Sequence, residues 1–428
     1  MHTTVRFRAY PNRAQQELWA QHAGACRVVF NLCLGLTLDM RRTRGVWVED
    51  KVLYSQLQEL RNDPDVAPWL QTTPAKVLQQ AVRQHRAAWL NMGHGARRPQ
   101  FRRKNTGRQT FTLPQNVRVK RTSKRWGEIT MPGGGCQRLK VRWHRTPPGT
   151  IKSATYVREA DGTYWVSLVC ETRDRTPTVH LNDHGPIGVD LGVAVPVATS
   201  NGDQWGFTPL TVKEQQRLVR LQRKLARQPK QRTEDGRMVD GSNRARTKQQ
   251  IAKLKARARR RRHAFAEQVS AHLTNNHGVV VFEQLPVAAM TRSAKGTLQH
   301  PGVNVRQKAG LNRAILDVGW AHLVERTKQK AARRGAVVRQ VNPAYTSQTC
   351  PDCGTVDPAQ RVTRSRYDCR ACGYHGHADV GAARTILVRG TSHPPTGSGW
   401  QPVQDLQTPV GSMTQEQTNG HSTTQTDA

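Results

Sequence analysis

Acidic residues are scarce in this 428-residue chain: 30 Asp and Glu stand against 67 Lys and Arg, leaving a net charge of +37. Self-repulsion of that size loosens a compact state unless a polyanion relieves it, which points to nucleic acid and away from small neutral substrates. Long apolar runs are missing too. No stretch approaches the ~18 consecutive apolar residues of a membrane span, so no membrane partner is expected. The opening MHTTVRFRAY lacks the apolar core of a signal peptide, so export is not expected either. Hydrophobic residues still reach 36%, which excludes full disorder. The length implies roughly two to four domains.

The positive charge is gathered in two acid-free stretches. Residues 97–125 hold eleven Lys or Arg, among them Arg97, Arg98, Arg102, Arg103 and Lys104. Residues 244–262 hold ten, ending in Arg257, Arg259, Arg260, Arg261 and Arg262. Both are expected to contact nucleic-acid phosphates; the alternative is a solvated basic face, or a basic tail with no fixed partner. Four of the eight cysteines, Cys350, Cys353, Cys369 and Cys372, form two C-x2-C pairs fifteen residues apart. This is the spacing of a structural zinc ribbon, one Zn2+ closed by four thiolates, with Gly354 and Gly373 tolerating the two knuckle turns. Two disulfides are the alternative. Cys26, Cys33 and Cys170 read as buried apolar residues, and Cys136 has no assignment.

A strand is expected over residues 5–10, followed by a helix that Asn12 caps with Gln15 three residues on. Leu18, Ala25, Val29, Cys33 and Leu36 mark one face of that helix. A further helix starts near Thr73-Pro74. From Pro99 the pattern turns to short β-runs at 109–113, 116–120, 128–131, 138–143, 153–158 and 164–170, read together as a small basic barrel. Near His184 a new unit begins with a hairpin through Asp190 to the Asn201-Gly202 turn. A helical pair follows, marked by Leu218, Leu221 and Leu225 on one arm and Ile251 to Leu273 on the other. The strand 279–282 ends on Glu283. A helix carrying Leu316, Leu323 and Val324 leads to a strand at 336–341. The ribbon and a helix from His377 follow, and the polar tail at 391–428 is expected to be disordered.

Three of the few acids stand on apolar elements: Asp190 within its hairpin, Glu283 at a strand end and Asp379 in the first turn of a helix. Converging carboxylates in a basic protein suit two Mg2+ ions and phosphodiester chemistry. Taken singly, each also reads as a cap, turn or surface charge.

The succession GVDLG, VVVFEQL, YTSQTCPDCG, CRACG and HADVGAARTIL resembles the TnpB (OrfB-type) proteins of insertion sequences, compact relatives of type V CRISPR effector nucleases. The stretches RPQFRRK and LNRAILDVGWAHL match the same pattern. The resemblance implies a multidomain α+β chain. Its parts are a wedge-type β-barrel (1–10 and 97–180), a helical recognition insertion (11–96) and a RuvC-like RNase H-fold nuclease (181–345 and 374–390). A zinc ribbon that binds target nucleic acid (346–373) is inserted into the nuclease. It also implies a monomer in the prokaryotic cytoplasm, beside the nucleoid, that takes a guide RNA from the transposon end and cuts double-stranded DNA. Asp190, Glu283 and Asp379 are then the nuclease acids, and Tyr54 and Gln79 occupy positions that read the adjacent DNA motif. Three positions depart from the family pattern: Gly381 for Asn, His377 for Asp and Glu267 for His.

Other functions fit less well. A guided DNA-binding repressor would not need the three acids. A DNA-strand transposase would need a Tyr nucleophile in a His-hydrophobic-His setting, which is absent. A structural RNA-binding protein leaves acids on apolar elements without a purpose.

Overall fold

In the computed structural model, residues 2–63, 65–104, 107–133, 137–172, 184–234, 236 and 238–392 are described. Cys136 and the tail beyond residue 392 lie outside them. The first strand, β1 (His2–Ala9), buries Val5, Phe7 and Ala9 at every second position. The Asn12 side chain accepts from the Gln15 N–H and the Gln15 side chain accepts from the Asn12 N–H, so a capping box starts α1 (Arg13–Arg44). Gly45 ends this helix in the left-handed region, at φ 69°. By length and composition α1 would suffice to cross a membrane. Its apolar face is instead packed into the protein: Trp19, Ala25, Cys26, Val29 and Cys33 are buried in the first core. Trp19 meets Phe111, Tyr156 and Tyr164 edge-on at 5.6, 5.4 and 5.0 Å.

Helices α2 (Asp50–Asn62), α3 (Pro68–Gln71) and α4 (Ala75–Gly93) follow, with Leu53, Leu70, Val77 and Ala81 closing the same core. The remaining strands of this body are β2 (Gln109–Leu113), β3 (Val119–Arg121), β4 (Trp126–Met131), β5 (Gln137–Arg142), β6 (Thr150–Arg158) and β7 (Tyr164–Glu171). They pair antiparallel in the order β2-β6-β7-β1-β5-β4-β3. The expected barrel is therefore not formed. Closure requires β2 to pair with β3, but β2 pairs with β6 and β3 with β4, leaving both as edges. Two physical reasons stand out. The apolar side of β2, Phe111 and Leu113, is covered by α1 and α4, and β3 is only three residues long and largely exposed.

The second body is built on β8 (Ile187–Asp190), β9 (Val197–Thr199) and β10 (Gln204–Trp205), a meander that turns at Asn201-Gly202. Helix α5 (Val212–Arg227) and helix α6 (Ser242–Asn276) pack through Leu221, Ile251 and Leu254, joined by the short hairpin β11 (Gln231–Arg232) and β12 (Met238–Val239). Then come β13 (Val279–Glu283), α7 (Val287–Met290), α8 (Val305–Val318), α9 (Trp320–Ala331) and β14 (Val337–Val341). The single helix expected through Leu316 and Leu323 is two. Gly319, at φ 77°, breaks it, so Ile315 and Val318 are buried while Leu316 faces out. Strands β15 (Arg366–Asp368) and β16 (His375–His377) belong to the ribbon, and α10 (Ala378–Thr391) ends the described chain. The second sheet runs β10-β9-β8-β13-β14, with β13 parallel to both β8 and β14. Its core gathers Ile187, Val189, Phe265, Val269, Val280 and Phe282.

Candidate active site

Val189 pairs with Phe282 across the parallel strands β8 and β13. The next residues on each, Asp190 and Glu283, therefore stand side by side as the last residues of their strands. Helix α10 lies across the same strands at very close range. A Cβ on Gly188 would stand 2.0 Å from the Ala383 carbonyl oxygen, and one on Gly390 would stand 2.3 Å from Val281 Cγ1. These two glycines let the helix touch the sheet. Asp379 sits in the first turn of α10, where the helix dipole favours an anion. His377 caps that turn, its Nδ1 accepting from the Asp379 N–H at 3.3 Å.

Asp190 feels the charges of the other two acids. Burial first, and then the charges of Glu283 and Asp379, push Asp190 up to about 7, against the pull of Arg361. Burial also raises Glu283, opposed by the Thr346 hydroxyl that donates to its Oε1 and by Arg389. Arg361 donates to Asp379 Oδ1 at 2.8 Å and to the Arg364 carbonyl at 2.8 Å. Among the described residues only the four cysteines bring their possible ligand atoms all within 4.8 Å of one another, so the three carboxylates are neighbours rather than a closed donor set. Their all-oxygen chemistry suits a hard divalent cation such as Mg2+. Beside Glu283 opens a cavity of about 220 Å3, lined by Leu191, Leu285, Trp320 and Val324. Sequence reasoning missed Arg361 and Thr346. Thr346 lies within the YTSQTC motif, but Arg361 stands between the cysteine pairs with nothing local to mark it.

The cysteine pairs converge as their spacing requires. All four Sγ atoms lie within 4.8 Å of one another, with Cys350–Cys372 at 3.7 Å and Cys353–Cys369 at 3.6 Å. A tetrahedron with ~2.3 Å Zn–S bonds has edges of ~3.8 Å, so the donor set fits zinc. The knuckles repeat one another: Gly354 N–H donates to the Cys350 carbonyl and Gly373 N–H to that of Cys369, at φ 75° and 76°. None of these cysteines is in a disulfide. We expect metal analysis of the purified protein to give one zinc per chain. Cys353→Ser should lower that occupancy and, because β16 leads directly into α10, lower the thermal melt as well. Soluble, folded protein that carries no zinc would remove the site.

The last part of the basic run on α6 is paired within the protein, while Arg246, Lys253 and Lys255 before it are exposed. Arg257 pairs with Glu214 at 2.5 Å, Arg259 with Glu159 at 3.4 Å and Arg260 with Asp161 at 3.1 Å. Arg261 pairs with Glu214 at 2.6 Å and Arg262 with Asp317 at 3.0 Å. Glu159 and Asp161, at the β6–β7 turn, are buried. Burial pushes both up, but hydrogen bonds and guanidinium partners outweigh it and hold them below the usual range. The stability this contributes is present above the ordinary carboxylate pKa of ~4 and is lost as pH falls below it. Arg260→Gln should cost about 1–2 kcal/mol in a thermal melt at neutral pH. That is less than for a fully buried pair, because Arg260 is half-exposed. An unchanged melt would mean that this contact is incidental.

Of the other expected contacts, Arg97 and Arg98 are exposed and Lys104 is exposed beside them. Arg102 is half-buried, its guanidinium 3.6 Å over the Phe30 ring. Gln79 is exposed on α4, whereas Tyr54 packs partly into the first core. Glu267, one of the departures from the pattern, is held at about 2: partial burial raises it, but Arg326 and Lys330 outweigh that. Gly381 lies inside α10, where an added Cβ would make only ordinary contacts to Tyr374 and Pro351.

Three family profiles match the chain: "Helix-turn-helix domain" over residues 1–45, "Probable transposase" (OrfB_IS605) over 167–294 and "Cas12f1-like, TNB domain" over 320–386. Within 1–45 the structure holds one strand and one continuous helix rather than two helices and a turn. The chain is 33% identical to "Putative RNA-guided DNA endonuclease InsQ" of Escherichia coli K12, covering 90% of this chain and 91% of that one. A Streptomyces pristinaespiralis protein described as "Putative RNA-guided DNA endonuclease" is 26% identical, over 94% and 92%. Among solved structures, the mini-RNA-guided endonuclease CRISPR-Cas phi3 aligns over 91% of this chain and 92% of that one. Its identity is 12% and its TM-score 0.43, a distant likeness. By its full-length relationship to InsQ and its match to the OrfB profile, this chain belongs to the TnpB/OrfB-type family of transposon nucleases, related to Cas12f.

Proposed function

We propose that this protein is an RNA-guided DNA endonuclease that cuts duplex DNA beside a short transposon-adjacent motif. The observation that supports this most directly is that Asp190, beside Glu283 at the ends of neighbouring parallel strands, also feels the charge of Asp379 from a third element, in a chain so poor in acids. In this reading the three carboxylates hold two Mg2+ ions, which when bound activate a water and stabilise the leaving oxygen of a phosphodiester. Thr346 orients Glu283 through its hydroxyl. Arg361 neutralises Asp379 in the nucleic-acid-free protein and remains beside it as a cation for phosphate.

We assign the open sheet (1–10 and 97–180) and the helical insertion (11–96) to holding guide RNA and the DNA motif. Residues 181–345 and 374–390 then form the nuclease body, and 346–373 form a zinc-bound ribbon against target nucleic acid. The exposed Gln79 is the better placed of the two motif-reading candidates, since an amide pairs bidentately with adenine. One protein chain per guide RNA, in the prokaryotic cytoplasm, completes the proposal. It is tested by incubating the ribonucleoprotein with a plasmid carrying the matched target. Cleavage is expected with Mg2+ and RNA together and with neither alone. Target binding without any cleavage would favour a guided repressor instead.

A further inference from the structure

A groove of about 820 Å3 runs along α1, away from the acids and the ribbon. Ala20, Ala23 and Gly24 of the helix form its floor, and residues 99–104 with the start of β2 form its wall. Its lining includes the cations Arg27, Arg103, Lys104 and Arg108, with Arg102, whose guanidinium turns inward, and no carboxylate among the described residues. A groove of one sign with apolar walls concentrates anions.

Phe101 stands in this wall, 54% exposed. Its neighbour explains why it is held outward. The Arg102 N–H donates to Asn31 Oδ1 at 2.7 Å, and the Arg102 carbonyl accepts from Asn31 Nδ2 at 3.0 Å. The Arg102 guanidinium turns inward over Phe30 and donates to Gln84 Oε1 at 3.0 Å. The Phe101 ring itself lies against the open side of Gly35, 3.9 Å from where a Cβ would stand. The result is an aromatic face fixed in place before any ligand arrives, which lowers the ordering cost of stacking. Gln100, Gln109 and Thr110 add neutral donors and acceptors along the same wall, groups suited to a ribose 2′-hydroxyl. Arg108 also approaches Glu159, the acid that holds Arg259, so the groove opens toward α6.

We propose that this groove binds an unpaired nucleotide of single-stranded RNA, its base stacked on Phe101 and its phosphates on the cationic rim. The proposal rests on the RNA-binding reading above and assigns it a specific base platform. Neutral hydrogen-bonding groups beside an aromatic face favour RNA over DNA here.

The test uses the full chain, freed of nucleic acid, and a fluorescent oligouridine of about ten nucleotides with its deoxy counterpart as probes. Phe101→Ala should weaken RNA binding roughly 5- to 100-fold, the range that loss of one stacked base gives. The salt dependence should stay unchanged, because no phosphate contact is removed. Phe101→Trp should bind as wild type. Lys104→Ala should instead flatten the salt dependence by about one unit of slope. Phe101→Ala binding as tightly as wild type would overturn the site. So would Phe101→Trp failing like Phe101→Ala, and equal affinity for the deoxy probe would overturn the RNA assignment. If these variants bind normally while the wild-type complex still cuts its plasmid, the groove alone is wrong. If the wild type neither binds RNA nor cuts, the broader reading falls.

Discussion

Asp190→Ala should reduce plasmid cleavage by at least about a thousandfold while target binding by the ribonucleoprotein stays within a few-fold of wild type. Losing several kcal/mol of transition-state stabilisation accounts for a drop of that size. Affinity is set elsewhere, by base pairing and by phosphate contacts that Asp190 does not make. The removed group is also a strained one. Burial and two neighbouring carboxylates hold Asp190 up at about 7, so its loss relieves repulsion in the empty protein. The variant should therefore melt no lower than wild type, which separates lost chemistry from lost folding. Cleavage at the wild-type rate would refute the role of Asp190. A variant that neither cuts nor binds would show that Asp190 shapes the fold rather than the reaction.

Much of this site is legible in the amino-acid sequence, for reasons that differ by residue. The four cysteines carry their geometry in their spacing, and each knuckle announces its turn by a glycine. The three acids are conspicuous because each interrupts an apolar element. Asn12 and Gln15 form their capping box three residues apart, a purely local signal. What stays hidden is non-local. Alternation says that a segment is a strand but not which strand it pairs with, so an open sheet reads as a barrel. Arg257 and Arg259 to Arg262 on α6 read as a run for nucleic-acid phosphates because their partners Glu159, Asp161, Glu214 and Asp317 lie at least 43 residues away in sequence. Helix α2 carries a short apolar face of Leu53, Leu57 and Leu60 at spacings of four and three, too brief to stand out within its polar surroundings.

Gly188→Ala should also cut cleavage severely, although residue 188 carries no functional group. An added Cβ would meet the backbone of α10 at the Ala383 carbonyl oxygen, 2.0 Å away, and at Leu387 N, 2.8 Å away. Neither contact is a flexible side-chain tip, so the whole helix must shift. Overpacking of this kind costs about 1–3 kcal/mol of stability. The larger consequence is geometric. Asp379 rides on α10 and Asp190 lies two residues beyond Gly188 on β8, so the shift separates the acids directly. A displacement of ~1 Å between reacting groups costs on the order of a hundredfold in rate. Gly381→Ala is the internal control, on the same helix and closer in sequence to Asp379. A Cβ there would make only ordinary contacts, 3.8 Å from the Tyr374 hydroxyl and 3.9 Å from Pro351. Replacing a mid-helix glycine should then raise stability by about 0.5–1 kcal/mol and leave cleavage close to wild type. Cleavage rates and thermal melts of the two variants decide the matter. Equal cleavage by Gly188→Ala and wild type would mean that the close seat of α10 on β8 does not set the distance between the acids.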